Sequence, residues 1–116
     1  MTDCIFCRIA RGEIPSRKVF EDDEIIAFHD IQPQAPVHFM IVPKTHIESL
    51  AHAGETDAPL LGRMMALAPL LARQMGLEQG FRTIINTGRV GGQEVMHLHI
   101  HILGGKDRLP PMLSRQ

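Results

Sequence analysis

The last third of the chain is governed by a simple alternation. His97, His99 and His101 alternate with Leu98, Ile100 and Ile102, and glycine pairs stand on either side at Gly91-Gly92 and Gly104-Gly105. A period of two bounded by glycines predicts a strand, placed over Val95–Leu103, with the imidazoles on one face and the aliphatic side chains in a core. The same reading upstream gives a short helix over Cys4–Arg11, with Ile5, Phe6 and Ile9 apolar and Gly12 ending it. Lys18–Glu21 and Glu24–His29 read as antiparallel strands joined at Asp22-Asp23. Residues 30–36 form a loop, because two prolines there remove backbone donors, and Val37–Val42 is a third strand closed by Pro43.

Between Thr56 and Gly76 the period lengthens: Leu60, Met64, Leu67, Leu71 and Met75 recur at spacings of three and four, the stripe of a helix lying on a sheet. Pro59 suits its first turn, Pro69 is expected to kink it, and its methionines read as core filler. Phe81–Asn86 is a fourth strand, followed by a glycine-rich loop over Thr87–Gln93. Short connections with one long helical excursion predict an α+β fold. It would be a five-stranded antiparallel sheet with a short N-terminal helix and one long helix, residues 1–116 forming one domain. The histidine strand would pair with the fourth strand across the glycine loop. Leu61, Met65, Ala68 and Leu70 add apolar surface beside the helix stripe. With the unpaired edges of so small a sheet, they predict a homodimer.

Composition narrows the partners. A chain of 116 residues, 44% hydrophobic and 22% charged, can bury one core, and a formal net charge of -1 supplies no broad basic surface. Nucleic acid and anionic membrane are therefore not expected partners, and an anion would have to be gripped locally. The longest apolar run, Met64 to Ala72, is too short to span a bilayer, and Met1-Thr2-Asp3-Cys4 has no leader-like pattern, so a cytoplasmic location is expected. In a reducing compartment the two cysteines, Cys4 and Cys7, suggest metal or redox chemistry more than a disulfide. His46 and His97 could complete a Cys2His2 zinc site with them; the alternative is two buried thiols behaving as small hydrophobes. No organic cofactor is expected.

Three histidines on one strand also admit a three-histidine zinc site, but the outer two would lie roughly 13 Å apart along it. A division of labour fits better, one histidine serving a structural metal while the others face a substrate. A neutral imidazole held in one tautomer can attack phosphorus. His99, in the middle, is best placed for that, with His101 reaching a phosphate oxygen or the leaving group. The chain has neither a phosphate-binding loop ending in Lys-Ser/Thr nor a paired-carboxylate two-metal constellation, so the phosphate would rest on main-chain N–H groups of Gly91-Gly92-Gln93-Glu94. Taken alone, His38 reads as a sheet-face histidine, Asp30 as a turn cap, and His29 and His52 as surface residues.

The run from His97 to Leu103 resembles the His-x-His-x-His motif of the histidine triad nucleotide-binding superfamily. The resemblance spans nearly the whole chain and is closest to its Hint branch. Ile5-Phe6, Ala27-Phe28-His29-Asp30-Ile31, Pro33-Gln34-Ala35-Pro36, Val42-Pro43-Lys44, Asn86, Gly91-Gly92-Gln93 and Gly104-Gly105 carry it. It implies a homodimeric α+β fold that binds purine nucleotides and hydrolyses purine nucleoside phosphoramidates, typically adenosine 5'-monophosphoramidate, through a nucleotidylated histidine. By position, His99 would be the nucleophile, with His101 and His38 completing a relay. Asp30 would bind the ribose hydroxyls; Phe6, Phe28 and Ile31 would line the base pocket; Asn86, Gly92, Gln93 and Glu94 would surround the phosphate. Cys4, Cys7, His46 and His97 would hold zinc, as in zinc-bearing relatives. The chain departs from the animal members in Glu94 for serine, Met96 for tyrosine and the absence of tryptophan. The tail Leu109–Leu113 would reach the partner subunit's site. The alternatives are a nucleotide-binding module with little catalytic role, and a dinucleotide polyphosphate hydrolase. The second is weakened by Gly104 where such enzymes carry glutamine.

Overall fold

The computed structural model describes residues 4–113. In chain order it contains α1 (Ile5–Ala10), β1 (Lys18–Glu21), β2 (Ile25–His29), β3 (Val37–Pro43), α2 (Ala58–Gln74), β4 (Arg82–Ile84) and β5 (Ile100–Gly104), with two short 3-10 turns before α2. The five strands form one sheet in the order β1-β2-β3-β5-β4, every neighbouring pair antiparallel. This is the α+β architecture expected, and β5 pairs with β4 as the glycine loop suggested. It also pairs with β3, which puts the histidine strand inside the sheet.

Both faces of the sheet are covered. Ile25, Ala27, Phe39, Ile41, Ile100 and Ile102 meet Met64, Ala68, Leu71 and Ala72 of α2, whereas Ile26, Phe28, Met40 and Val42 point to the opposite face and meet Phe6 and Ile9 of α1. Alternation along the strands sorts the two sets. It also sets His101, between Ile100 and Ile102, on the α1 face. The two layers meet tightly at the end of β5: a Cβ on Gly104 would lie 2.7 Å from Cδ2 of Leu77, a buried side chain three residues beyond α2 that would have to shift to admit it.

The structure differs from the periodicity reading at two places. β5 begins at Ile100, not at Val95, so His97 and His99 precede the strand. Its ladder with β3 ends at Ile41↔Ile100, near Pro43, which has no N–H to offer a continuing pair. The segment before it turns instead toward the chain beyond β3, where the Leu98 N–H donates to Ile47 O at 2.7 Å. β4 is trimmed to Arg82–Ile84, and Asn86 joins the glycine loop, its side-chain amide donating to Gly91 O at 2.8 Å. α2 spans Ala58–Gln74 with Pro69 inside it. That residue is exposed, so water can solvate the carbonyl left without its N–H partner.

Candidate functional site

The four residues read as metal ligands converge under α1. Cys4 is the N-cap of α1, its Sγ accepting the Cys7 N–H at 3.2 Å, and one turn of helix brings Cys7 to the same side. Cys4 Sγ lies 3.6 Å from His46 Nδ1 and 3.2 Å from His97 Nδ1; for Cys7 Sγ the distances are 3.3 and 3.5 Å. The two Nδ1 atoms are 3.2 Å apart. Ligands of a tetrahedral zinc ion, at bond lengths of about 2.0–2.3 Å, stand roughly 3.3–3.8 Å from one another, so the quartet has close to the size, and the donor set, of such a site. His97 is fully buried, and its Nε2 lies 2.7 Å from Pro43 O. A carbonyl can only accept, so Nε2 carries the proton and Nδ1 turns a lone pair toward the thiols. This is the outer hydrogen bond that fixes a metal-binding imidazole.

The same logic sets the other histidines. His99 Nδ1 is 2.7 Å from the His97 carbonyl, which makes Nδ1–H the donor and leaves Nε2 as a lone pair. The Gln34 N–H donates to His38 Nδ1 at 3.0 Å, so the His38 proton sits on Nε2, 2.9 Å from His101 Nδ1. His101 then carries its own proton on Nε2. Gln34 lies in the loop that precedes the third strand, and nothing in its side chain signals this backbone contact. Asp30, His38 and His101 form a second group with donor atoms within 4.8 Å. The Gln34 contact makes that group a proton donor rather than a set of lone pairs.

Burial keeps these imidazoles neutral near pH 7. It draws His99 below the ordinary imidazole value, against the opposing pull of the His97 carbonyl and Asp30. It lowers His38 too, with Asp30 opposing. His101 falls furthest, to about 4, through burial first and then the adjacent His99 and His38.

His99 and His101 open onto a groove of about 590 Å³. Phe6 stands edge-on to His99 with ring centroids 5.1 Å apart and edge-on to Phe28 at 5.4 Å, so the rings form one wall leading away from the histidines. Of the residues expected around a nucleotide, Phe6, Phe28, Asp30, Ile31, Asn86, Gly92 and Glu94 also line the groove. Asp30 divides its carboxylate: Oδ1 caps the Gln32 N–H at 2.8 Å, while Oδ2 lies 3.5 Å from His38 Nε2.

Gln93 does something else. Its buried side chain accepts from Gly88 N–H and donates to Glu48 O and Val95 O at 2.8 to 2.9 Å, bracing the glycine loop from behind. The main-chain cradle also shifts. Gly92, at φ +78°, donates its N–H to Arg89 O, and Gln93 donates to Gly88 O, so both amides close the turn. Glu94 lines the groove, and its N–H has no protein acceptor among the described residues. Ile14, Pro15, Ser16 and Arg17 line the groove as well. They lie between two predicted elements, where periodicity carries no signal.

A family model described as HIT domain matches residues 11–108. The chain is 56% identical over 104 residues to protein HitA of Neisseria gonorrhoeae, covering 90% of this chain and 97% of that one. It is 46% identical over 106 residues to a 14 kDa zinc-binding protein of Brassica juncea (90% and 94% covered) and 47% identical over 104 residues to adenylylsulfatase HINT1 of Arabidopsis thaliana (88% and 71% covered). Among solved structures, a histidine triad protein from Clostridium difficile superposes with a TM-score of 0.91 at 47% identity, covering 97% of this chain and 98% of the other.

Proposed function

The chain belongs to the HIT domain family, and from that premise we propose that it hydrolyses purine nucleoside 5'-phosphoramidates by way of a nucleotidyl-His99 intermediate. One observation carries the reading: the 2.7 Å hydrogen bond from His99 Nδ1–H to the His97 carbonyl, which leaves Nε2 as a lone pair on a groove of nucleotide size. Phe6, Phe28 and Ile31 would hold the base and Asp30 the ribose hydroxyls. Asn86 and the Glu94 N–H would hold the phosphate with His101. Nε2 of His99 attacks phosphorus as the substrate's P–N bond breaks. The amine leaves with a proton handed over at His101, backed by His38. Water then attacks the same phosphorus, breaks the His99–P bond and returns that proton. The sum is one water consumed, one amine and one nucleoside monophosphate formed.

Mass spectrometry of the intact protein, quenched shortly after mixing with adenosine 5'-monophosphoramidate, should show one added adenylyl group. Turnover without an adduct at any quench time would remove the covalent step. Nucleotide binding with neither turnover nor adduct would leave a binding module instead.

Zinc is proposed for the Cys4, Cys7, His46 and His97 quartet, whose distances and outer hydrogen bond fit it. The ion would clip α1, and with it Phe6, to the sheet.

A homodimer is proposed too. β4, an edge of the sheet, is only three residues long, and α2 leaves Met65 48% and Leu70 43% exposed. Light scattering at micromolar concentration should give a particle twice the 13.0 kDa chain, and a monomer would refute it. Truncation after Arg108 should alter substrate preference if the tail borders the partner's groove.

A further inference from the structure

Ser16 stands apart in this molecule. Among the described residues it holds the one buried side-chain oxygen with no hydrogen-bond partner, yet it forms part of the groove wall. A hydroxyl shut away from water and left unpaired is costly, and native structures rarely keep one without a ligand or solvent to complete it. Its position in the groove says which ligand. The Arg17 carbonyl accepts the His29 N–H at 2.9 Å, which fastens this segment beside the end of β2, where Phe28 faces the groove. Phe28 is the ring beyond Phe6 as counted from His99. Ser16 therefore sits toward the far end of the groove, past the aromatic wall and away from the phosphorus-attacking imidazole. Ile9, Ile14 and Phe28 give the groove apolar surface, and Arg17 and His29 border it as well. A flat base held among them needs a hydrogen bond at its edge.

We propose that the Ser16 hydroxyl is a specificity-determining contact to the edge of a purine base carrying N7 and the 6-substituent. This deepens the phosphoramidase reading and rests on it. The contact calls for one turn of the serine side-chain torsion between staggered positions, from the sheltered place of the oxygen to the groove. A hydroxyl both donates and accepts, so it can donate to N7 or to the guanine 6-oxygen and accept from the adenine 6-amino group. It thus admits both purines.

The test compares binding of AMP with binding of 7-deaza-AMP, which lacks only the N7 acceptor, to the wild-type protein and to Ser16→Ala, by calorimetry. Wild type should favour AMP by about 3- to 10-fold, the usual worth of one neutral hydrogen bond. Ser16→Ala should bind the two equally, with an unchanged or higher melting temperature because it loses an unpaired hydroxyl. With adenosine phosphoramidate, its KM should rise by the same factor and kcat should not move. Equal discrimination in wild type and variant, or none in either, would overturn the contact. Failure of AMP to bind wild type at all would overturn the nucleotide reading, and the contact with it. Nucleotide binding without phosphoramidate turnover would overturn the catalytic reading alone.

Discussion

Replacing His99 with alanine is expected to abolish phosphoramidate turnover, by on the order of 10⁴-fold or more, while leaving AMP affinity within a few-fold of wild type. In the proposed mechanism this imidazole contributes the atom that bonds to phosphorus, and no second lone pair stands ready in its place. His38 Nδ1 is occupied by the Gln34 N–H, and His101 Nδ1 by His38 Nε2–H. Phe28, Asp30 and Asn86 are held by contacts that do not involve His99. His101→Ala should cost about 10²- to 10⁴-fold, the range for a positioned proton donor, and should keep the adduct detectable. A His99→Ala protein retaining a tenth of the rate would sink the assignment. The pH profile checks the same chemistry. Because burial holds His99 below the ordinary imidazole value, the acid limb of kcat/KM should lie below pH 6.5. Stability has the matching sign. A histidine whose folded value is depressed favours the folded state when neutral. The His101 contribution should therefore be fully present above pH 6.5 and lost as pH falls from there to about 4.

Removal of the proposed zinc should produce the second large effect, a fall in melting temperature of about 10 °C or more. Structural zinc contributes its binding energy directly to folding, and a few kcal/mol move the transition of a domain this size by that much. α1 has six residues, too few to hold its place by helix propensity alone. Phe6, which it carries, stands edge-on to His99. Chelation should accordingly raise KM for the nucleotide as well as lower stability. Cys4→Ser combined with Cys7→Ser should reproduce both changes, and chelator should then add nothing. Zinc absent by elemental analysis from protein purified without chelators, together with a melting temperature indifferent to both treatments, would leave two buried thiols in its place.

Much of this protein was legible in the chain because its information is local. A spacing of three and four wrote α2, and the alternation of histidine with Leu98, Ile100 and Ile102 marked the last strand. Proline and glycine marked the loops. The histidine alternation named the residues on which the proposed chemistry rests, and its likeness to a known motif supplied roles that spacing could not. Short-range patterns decide such things because side-chain direction follows from backbone period alone.

What the tertiary structure alone decided is which atom of each ring is free. The sequence said that His97, His99 and His101 share a face. Only packing shows that Pro43 O takes the proton of one, that the His97 carbonyl takes that of the next, and that a backbone amide at Gln34 sets the third through His38. Tertiary contact likewise turned Gln93 from a presumed phosphate contact into a brace, closed the Gly92 amide into a turn, and put Ser16 in the wall of the groove. The reason is common to all of them. A carbonyl or amide is present at nearly every residue, so nothing in a residue's identity says which distant ring it will meet, and that is settled only when the strands and loops are folded against one another.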